Sequence, residues 1–160
     1  MSIDDLKHFA APCGLYCGAC SIRAAYNRKD NQMLKTMADG VSLYLGHKVE
    51  ADDLACGGCL SNTLAAPCRE CKIRDCAFSK GLIHCSECNE FPCELVTSFN
   101  NDGLPHHAEV LKNIRRQKEV GIESWLVEQD KKWRCPSCSA EIDWYAGQCS
   151  GCGAEIEGRF

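Results

Sequence analysis

Fifteen cysteines in 160 residues constrain this chain more than any other feature. At about 9 per cent of the sequence, that density favours a disulfide or metal framework over an ordinary apolar core alone. The N-terminal stretch MSIDDLKHFA is polar and acidic, without the apolar centre of a secretory signal. It predicts a cytoplasmic protein whose thiols stay reduced, and an odd number of cysteines cannot all pair within one chain. Metal is therefore the expected staple. No apolar run reaches the length of a membrane span, so no membrane association is expected.

The cysteines fall in five groups: Cys13, Cys17 and Cys20 as C-x3-C-x2-C, then Cys56 and Cys59 as C-G-G-C, then Cys68, Cys71 and Cys76 as C-x2-C-x4-C. Cys85, Cys88 and Cys93 repeat that last spacing 17 residues on, with Glu70 matched by Glu87. Cys135, Cys138, Cys149 and Cys152 close the series as C-x2-C-x10-C-x2-C. Between the groups the pattern is helical. Met33, Met37, Val41 and Leu45 recur every four residues, with Leu34 beside them, and Gly46 ends the stretch. Val110, Leu111 and Ile114 share a side in 106–120, with Pro105 suited to a helix start. Gly121 interrupts this pattern, and Ile122, Trp125 and Leu126 resume it. The charged stretch EQDKKWR suggests a boundary. The expected organisation is a Cys-rich metal-binding domain over 1–105, a helical segment over 106–132 and a small module over 133–160.

The C-terminal group carries the strongest chemical signal. Two CxxC knuckles ten residues apart place four thiolates for a tetrahedral Zn²⁺, the pattern of a zinc ribbon. Pro136, Gly151 and Gly153 suit the turns, and AEIDWYA at 140–146 reads as a short strand. A segment this small needs metal for its folding energy. A closed four-thiolate shell offers no position to a substrate, and a rubredoxin-like iron site would use the same ligands.

Cys17 and Cys20 with Cys56 and Cys59 make a second tetrathiolate set, leaving Cys13 as a spare ligand or buried thiol. The C-x3-C-x2-C spacing is also that of radical S-adenosylmethionine enzymes, but the chain is too short for the barrel they need. The repeat offers six thiolates for at most two metals, as Cys68, Cys71, Cys85 and Cys88 or as Cys71, Cys76, Cys88 and Cys93. Three zinc ions would use twelve of the fifteen cysteines, and a fourth would need His84 as a further ligand. A four-thiolate iron–sulfur cluster, on Cys13, Cys17 and Cys20 or on the 68–93 repeat, is the alternative cofactor.

No phosphate loop, HExxH or GxSxG accompanies the cysteines. His106 and His107 are adjacent and point apart on a helix. Asp4, Asp5, Asp52 and Asp53 read as capping or solvated positions. Lys112, Arg115, Arg116, Lys118, Lys131, Lys132 and Arg134 could meet nucleic acid, with Trp133, Trp144 and Tyr145 stacking on bases. Interleaved Glu109, Glu119, Glu123 and Glu128 and a net charge of −4 argue against that footprint.

Three segments together resemble a known family: APCGLYCGAC at 11–20, CGGC at 56–59 and CRECKIRDCAFSKGLIHCSECNEFPC at 68–93. They are similar to the Cys-rich prokaryotic proteins of domain of unknown function 3795, over roughly residues 9–130. Some members also end in a WL-containing helix and a WxCPxC…CxxCG ribbon, here Trp125–Leu126 and Trp133–Gly153. The resemblance implies zinc held by these cysteines in a bacterial or archaeal protein, and it implies no activity. The fold expected is a small metal-stapled α+β protein, mostly helices and irregular Cys knuckles with a C-terminal β ribbon. The function expected is zinc-dependent recognition of a protein partner rather than catalysis. The alternatives are an iron–sulfur redox protein or enzyme, and a nucleic-acid-binding ribbon protein.

Overall fold

The computed structural model of the chain describes residues 2–158. Among the described residues eight α-helices run in the order α1 (Ile3–Lys7), α2 (Ser21–Asn27), α3 (Asn31–Leu45), α4 (Ala66–Arg69), α5 (Lys72–Ser79), α6 (Glu94–Asn100), α7 (Val110–Val120) and α8 (Ile122–Lys132). Short 3₁₀ turns at Cys17–Ala19, Ala51–Leu54, Cys85–Glu87 and His107–Glu109 link them. No helix among the described residues is long and apolar enough to cross a membrane.

Local chemistry sets the helix ends. The Ser2 hydroxyl caps α1, receiving the Asp5 N–H while the Asp5 carboxylate receives the Ser2 N–H. Asp30 caps α3 through the Met33 N–H, and Gly46 ends it in the left-handed conformation. The buried face of α3 is centred on Leu34 and Ala38, with Met37, Val41 and Leu45 at its flanks and Met33 exposed. It is therefore turned slightly from the stripe expected from the methionines. That face packs with Ala25, Val49, Leu54, Cys56 and Ala65. The helix expected from residue 106 begins at Val110, because a 3₁₀ turn occupies 107–109. Gly121 separates α7 from α8 as expected, and the two helices pack against each other.

The segment from Phe9 to Cys20 is the hub. Ala10 and Ala19 are fully buried. Its backbone forms a bridge from Ala10 to Tyr16 and then serves three other parts of the chain. The Cys85 N–H donates to the Pro12 carbonyl at 2.9 Å, and Asn113 Nδ2 donates to the Gly14 carbonyl at 3.0 Å. The Trp144 N–H donates to the Ala19 carbonyl at 2.8 Å. On one side of the hub, Leu6, Phe9 and Tyr16 pack with Trp125, Leu126 and Trp133. On the other, Ala11 and Cys13 pack with Ile73, Val96, Val110 and Ile114. Gly14 lets α7 approach this closely. At φ +85° it holds a conformation that costs L residues energy, and a Cβ there would stand 2.7 Å from Ile114 Cγ1.

The α+β expectation with a β ribbon is overturned. Among the described residues there is no strand and no sheet, only the isolated bridges Ala10–Tyr16, Arg134–Glu141 and Gln148–Glu155. Each C-terminal knuckle is closed by one such bridge and goes no further. The stretch expected as a strand, 140–146, turns away after Ile142 because its polar groups have partners on the hub. The Ser21 hydroxyl donates to Asp143 at 2.7 Å, and the Trp144 N–H is engaged by Ala19. A ladder would need that backbone N–H free. The fold is helical, with irregular Cys-rich connections.

Candidate metal centres

All fifteen cysteines are free thiols, and the fold gathers thirteen of them into three neighbourhoods, with Cys13 and Cys71 between the second and the third. The C-terminal one is the most sharply formed. Its two knuckles repeat a single backbone pattern. The Ser139 N–H bonds to the Cys135 carbonyl at 2.9 Å and the Cys135 N–H to the Ala140 carbonyl at 2.9 Å. The Gly153 N–H bonds to the Cys149 carbonyl at 2.8 Å and the Cys149 N–H to the Ala154 carbonyl at 2.8 Å. Ser139 and Gly153, each four residues after its cysteine, both have positive φ.

The four sulfurs of Cys135, Cys138, Cys149 and Cys152 all lie within 4.8 Å of one another. The Cys135–Cys152 pair is 3.7 Å apart and the Cys138–Cys149 pair 3.6 Å. A tetrahedral Zn²⁺ with sulfur ligands at about 2.3 Å holds its sulfurs about 3.8 Å apart. The donor set and its spacing therefore fit that ion. Cys135 and Cys149 are buried, while Cys138 and Cys152 face outward. The Gly151 N–H donates to Cys149 Sγ at 3.3 Å, and a Cβ at Gly151 would press on Ala140 and the Cys138 sulfur. Such N–H···S bonds stabilise thiolate charge. Burial acts to raise the Cys135 thiol, yet the N–H groups of Cys138 and Ser137 and the neighbouring thiols hold it below its ordinary value. Cys138 is pushed up, its Ala140 N–H contact outweighed by the crowding of Cys152 and Cys149. Four thiols this close cannot all ionise without a cation among them.

The second neighbourhood gathers Cys17, Cys20, Cys56, Cys59 and Cys68. Cys17 and Cys59 share a hydrogen bond, which lowers Cys59 to about 7 against its burial, with help from the Arg74 guanidinium. The same bond and burial raise Cys17. Burial raises Cys20 to about 11, with Cys56 among its neighbours. Burial raises Cys68 as well, next to Cys20, Cys59 and Cys56. Arg74 is nearly buried and donates to the carbonyls of Cys68 and Arg69 at 2.7 and 2.8 Å. The third neighbourhood is a cavity lined by Cys76, Cys85, Cys88 and Cys93. Cys13 is buried within reach of Cys59, Cys71 and Cys85, and Cys71 caps α5 through the Arg74 N–H.

The repeat thus divides in a way neither expected set anticipates. Cys68 joins the N-terminal thiols, and Cys76 crosses to the three cysteines of the second copy. His84 lies buried beside Cys85, with its Nε2 lacking a hydrogen-bond partner and its Nδ1 3.9 Å from Glu87. Asp5 and Asp53 do cap, at Ser2 and Glu50.

Two features went unread in the sequence. One is Arg74, placed as a cation beside Cys59. The other is the aromatic contact that docks the C-terminal segment: His106 stacks on Trp144 with centroids 4.2 Å apart and meets the Tyr145 hydroxyl at 2.6 Å. The adjacent residues HH and WY were visible, but their pairing across 38 positions had no local signal. The basic residues of α7 and α8 largely face acids. Arg116 grips Glu128 at 2.6 and 3.0 Å and reaches Glu119, and Lys112 and Lys132 both meet Glu109.

A family model described as a protein of unknown function, DUF3795, matches residues 9–98, from the hub into α6. The C-terminal four-cysteine group lies beyond that match. No curated protein and no solved structure matches the chain.

Proposed function

The chain belongs to the DUF3795 family, and we propose that it is a zinc-stapled recognition protein rather than an enzyme. One observation carries the reading: the 3.6 and 3.7 Å sulfur separations in the C-terminal group, which suit a tetrahedral zinc ion. Zinc there uses all four protein ligands, so it acts as a staple and leaves no position for a substrate. Among the described residues, no three sulfurs of Cys17, Cys20, Cys56, Cys59 and Cys68 lie within 4.8 Å of one another, so the reading rests on the C-terminal zinc. That staple holds a surface rigid, and the surface receives a protein partner. The ion pairs on α7 and α8 and the acidic net charge favour a protein over nucleic acid. On α3, Leu43 and Tyr44 are 87% and 60% exposed, side chains of a kind suited to a partner's apolar contact.

The test is elemental analysis of protein purified without chelators, for the native chain and for Cys138→Ser. Zinc in the native protein that drops by one ion per chain in the variant supports the reading. A variant that keeps its full metal content overturns it.

A further inference from the structure

The cavity between α5, α6 and the Cys85–Glu87 turn differs in kind from the C-terminal centre. Cys76, Cys85, Cys88 and Cys93 all line it, and the rest of its wall is apolar apart from Lys80, with Leu82, Phe91 and Val96 prominent. Its volume is about 20 Å³. A buried water needs two to four good polar partners, and weakly bonding thiols against hydrocarbon do not supply them. Among the described residues, no three of these sulfurs come within 4.8 Å of one another, as the C-terminal four do. The same fold therefore sets four thiols at contact in one place and four thiols around a gap in another.

That contrast discriminates between metals. A single tetrahedral ion draws four sulfurs to about 3.8 Å of one another. A cluster places several iron atoms between the thiolates, so its four cysteines stand farther apart around an apolar pocket. Charge agrees with the second case. A thiolate-ligated iron–sulfur cluster is anionic, and two cations border this cavity at Cys88. Lys80 Nζ, paired with Glu90 at 2.6 Å, lies 4.0 Å from Cys88 Sγ, and Lys118 Nζ donates to the Cys88 carbonyl at 3.1 Å. Lys118 also stands over the Phe91 ring.

We propose that Cys76, Cys85, Cys88 and Cys93 ligate a polynuclear iron–sulfur cluster in this cavity, separate from the zinc of the C-terminal centre. The inference does not depend on the recognition role, and the two sites fail independently.

The experiment is anaerobic purification, followed by reconstitution of the full chain with ferrous iron and sulfide. Iron, acid-labile sulfide, zinc and the visible spectrum are then measured for the native protein, Cys93→Ser and Cys138→Ser. The native chain is expected to hold at least two irons with matching sulfide, to absorb in the visible, and to show iron–iron scattering at the iron absorption edge. Cys93→Ser is expected to lose the colour and fall below one iron per chain while keeping its zinc. Cys138→Ser is expected to lose one zinc and keep the colour. Iron–iron scattering is read on the native chain, so poor folding of a variant does not blunt the test. A native chain that takes zinc and no iron, or a Cys93→Ser protein that keeps iron and sulfide, would overturn the proposal.

Discussion

Replacing Gly14 by alanine measures how tightly the hub holds α7. The new methyl group has two costs. The first is conformational: at φ +85° an L side chain costs roughly 1–2 kcal/mol. The second is steric. The Cβ would sit 2.7 Å from Ile114 Cγ1 and 3.2 Å from the Val110 carbonyl oxygen. Ile114 is fully buried and the carbonyl is helix backbone, so neither yields easily. Overpacking of this kind costs about 1–3 kcal/mol. The expected total is about 2–5 kcal/mol, a large part of a small protein's stability. Gly46→Ala is the matched control. Gly46 has φ +73° at the end of α3, with nothing within 4 Å of a built Cβ, so only the conformational cost applies. Urea unfolding of both variants, followed by tryptophan fluorescence with metal retained, gives the two values. Gly14→Ala should be worse than Gly46→Ala by about 1–3 kcal/mol. Equal costs would mean that α7 does not press on the hub, and the central packing described above would be wrong.

Three further expectations concern the C-terminal segment and the charged helices. Burial, with His107 adding to it, lowers His106 from its usual 6.5 to about 4, so the folded protein refuses a proton that the unfolded chain accepts. Stability from this group is complete above pH 6.5 and is lost as pH falls towards 4, by at most about 2 kcal/mol between pH 7 and pH 5. His106→Phe should keep the stack on Trp144 and flatten that part of the pH dependence in urea titrations; an unchanged slope would refute the assignment. Cys149→Ser should speed amide exchange at Gly153 and Ile156 while Ile114 and Trp125 stay protected, because their cores do not include the knuckles. Exchange rising equally in all four would contradict that separation. In mobility-shift titrations the native protein should bind duplex DNA weakly and with a shallow salt slope, since Arg116, Lys112 and Lys132 are already paired. Tight binding with a steep slope would restore the nucleic-acid reading.

What the sequence made legible was local. The four-residue spacing of apolar positions located α3, and Gly46 and Gly121 marked real helix ends, because caps and periodicity act within a few residues. A CxxC knuckle is likewise a local turn, and the two C-terminal knuckles do close on one point. The rest depended on contacts between distant segments. Spacing could not show that Cys76 leaves its own triplet to join Cys85, Cys88 and Cys93, since helix α5 carries it there. Nor could alternation in 140–146 reveal that the Trp144 N–H would bond to the Ala19 carbonyl instead of a neighbouring strand, with the Asp143 side chain anchored by Ser21. The β ribbon failed for that reason. Its turns were right and its ladder had no partner. Arg74 was missed because a lone arginine among charged neighbours reads as surface until α5 is placed against the cysteines.

The most direct test of the stapled scaffold is X-ray absorption at the zinc edge of the native protein. Sulfur neighbours alone at about 2.3 Å, four per zinc, are the predicted first shell. A shell containing nitrogen or oxygen, or protein without bound zinc, would contradict the account.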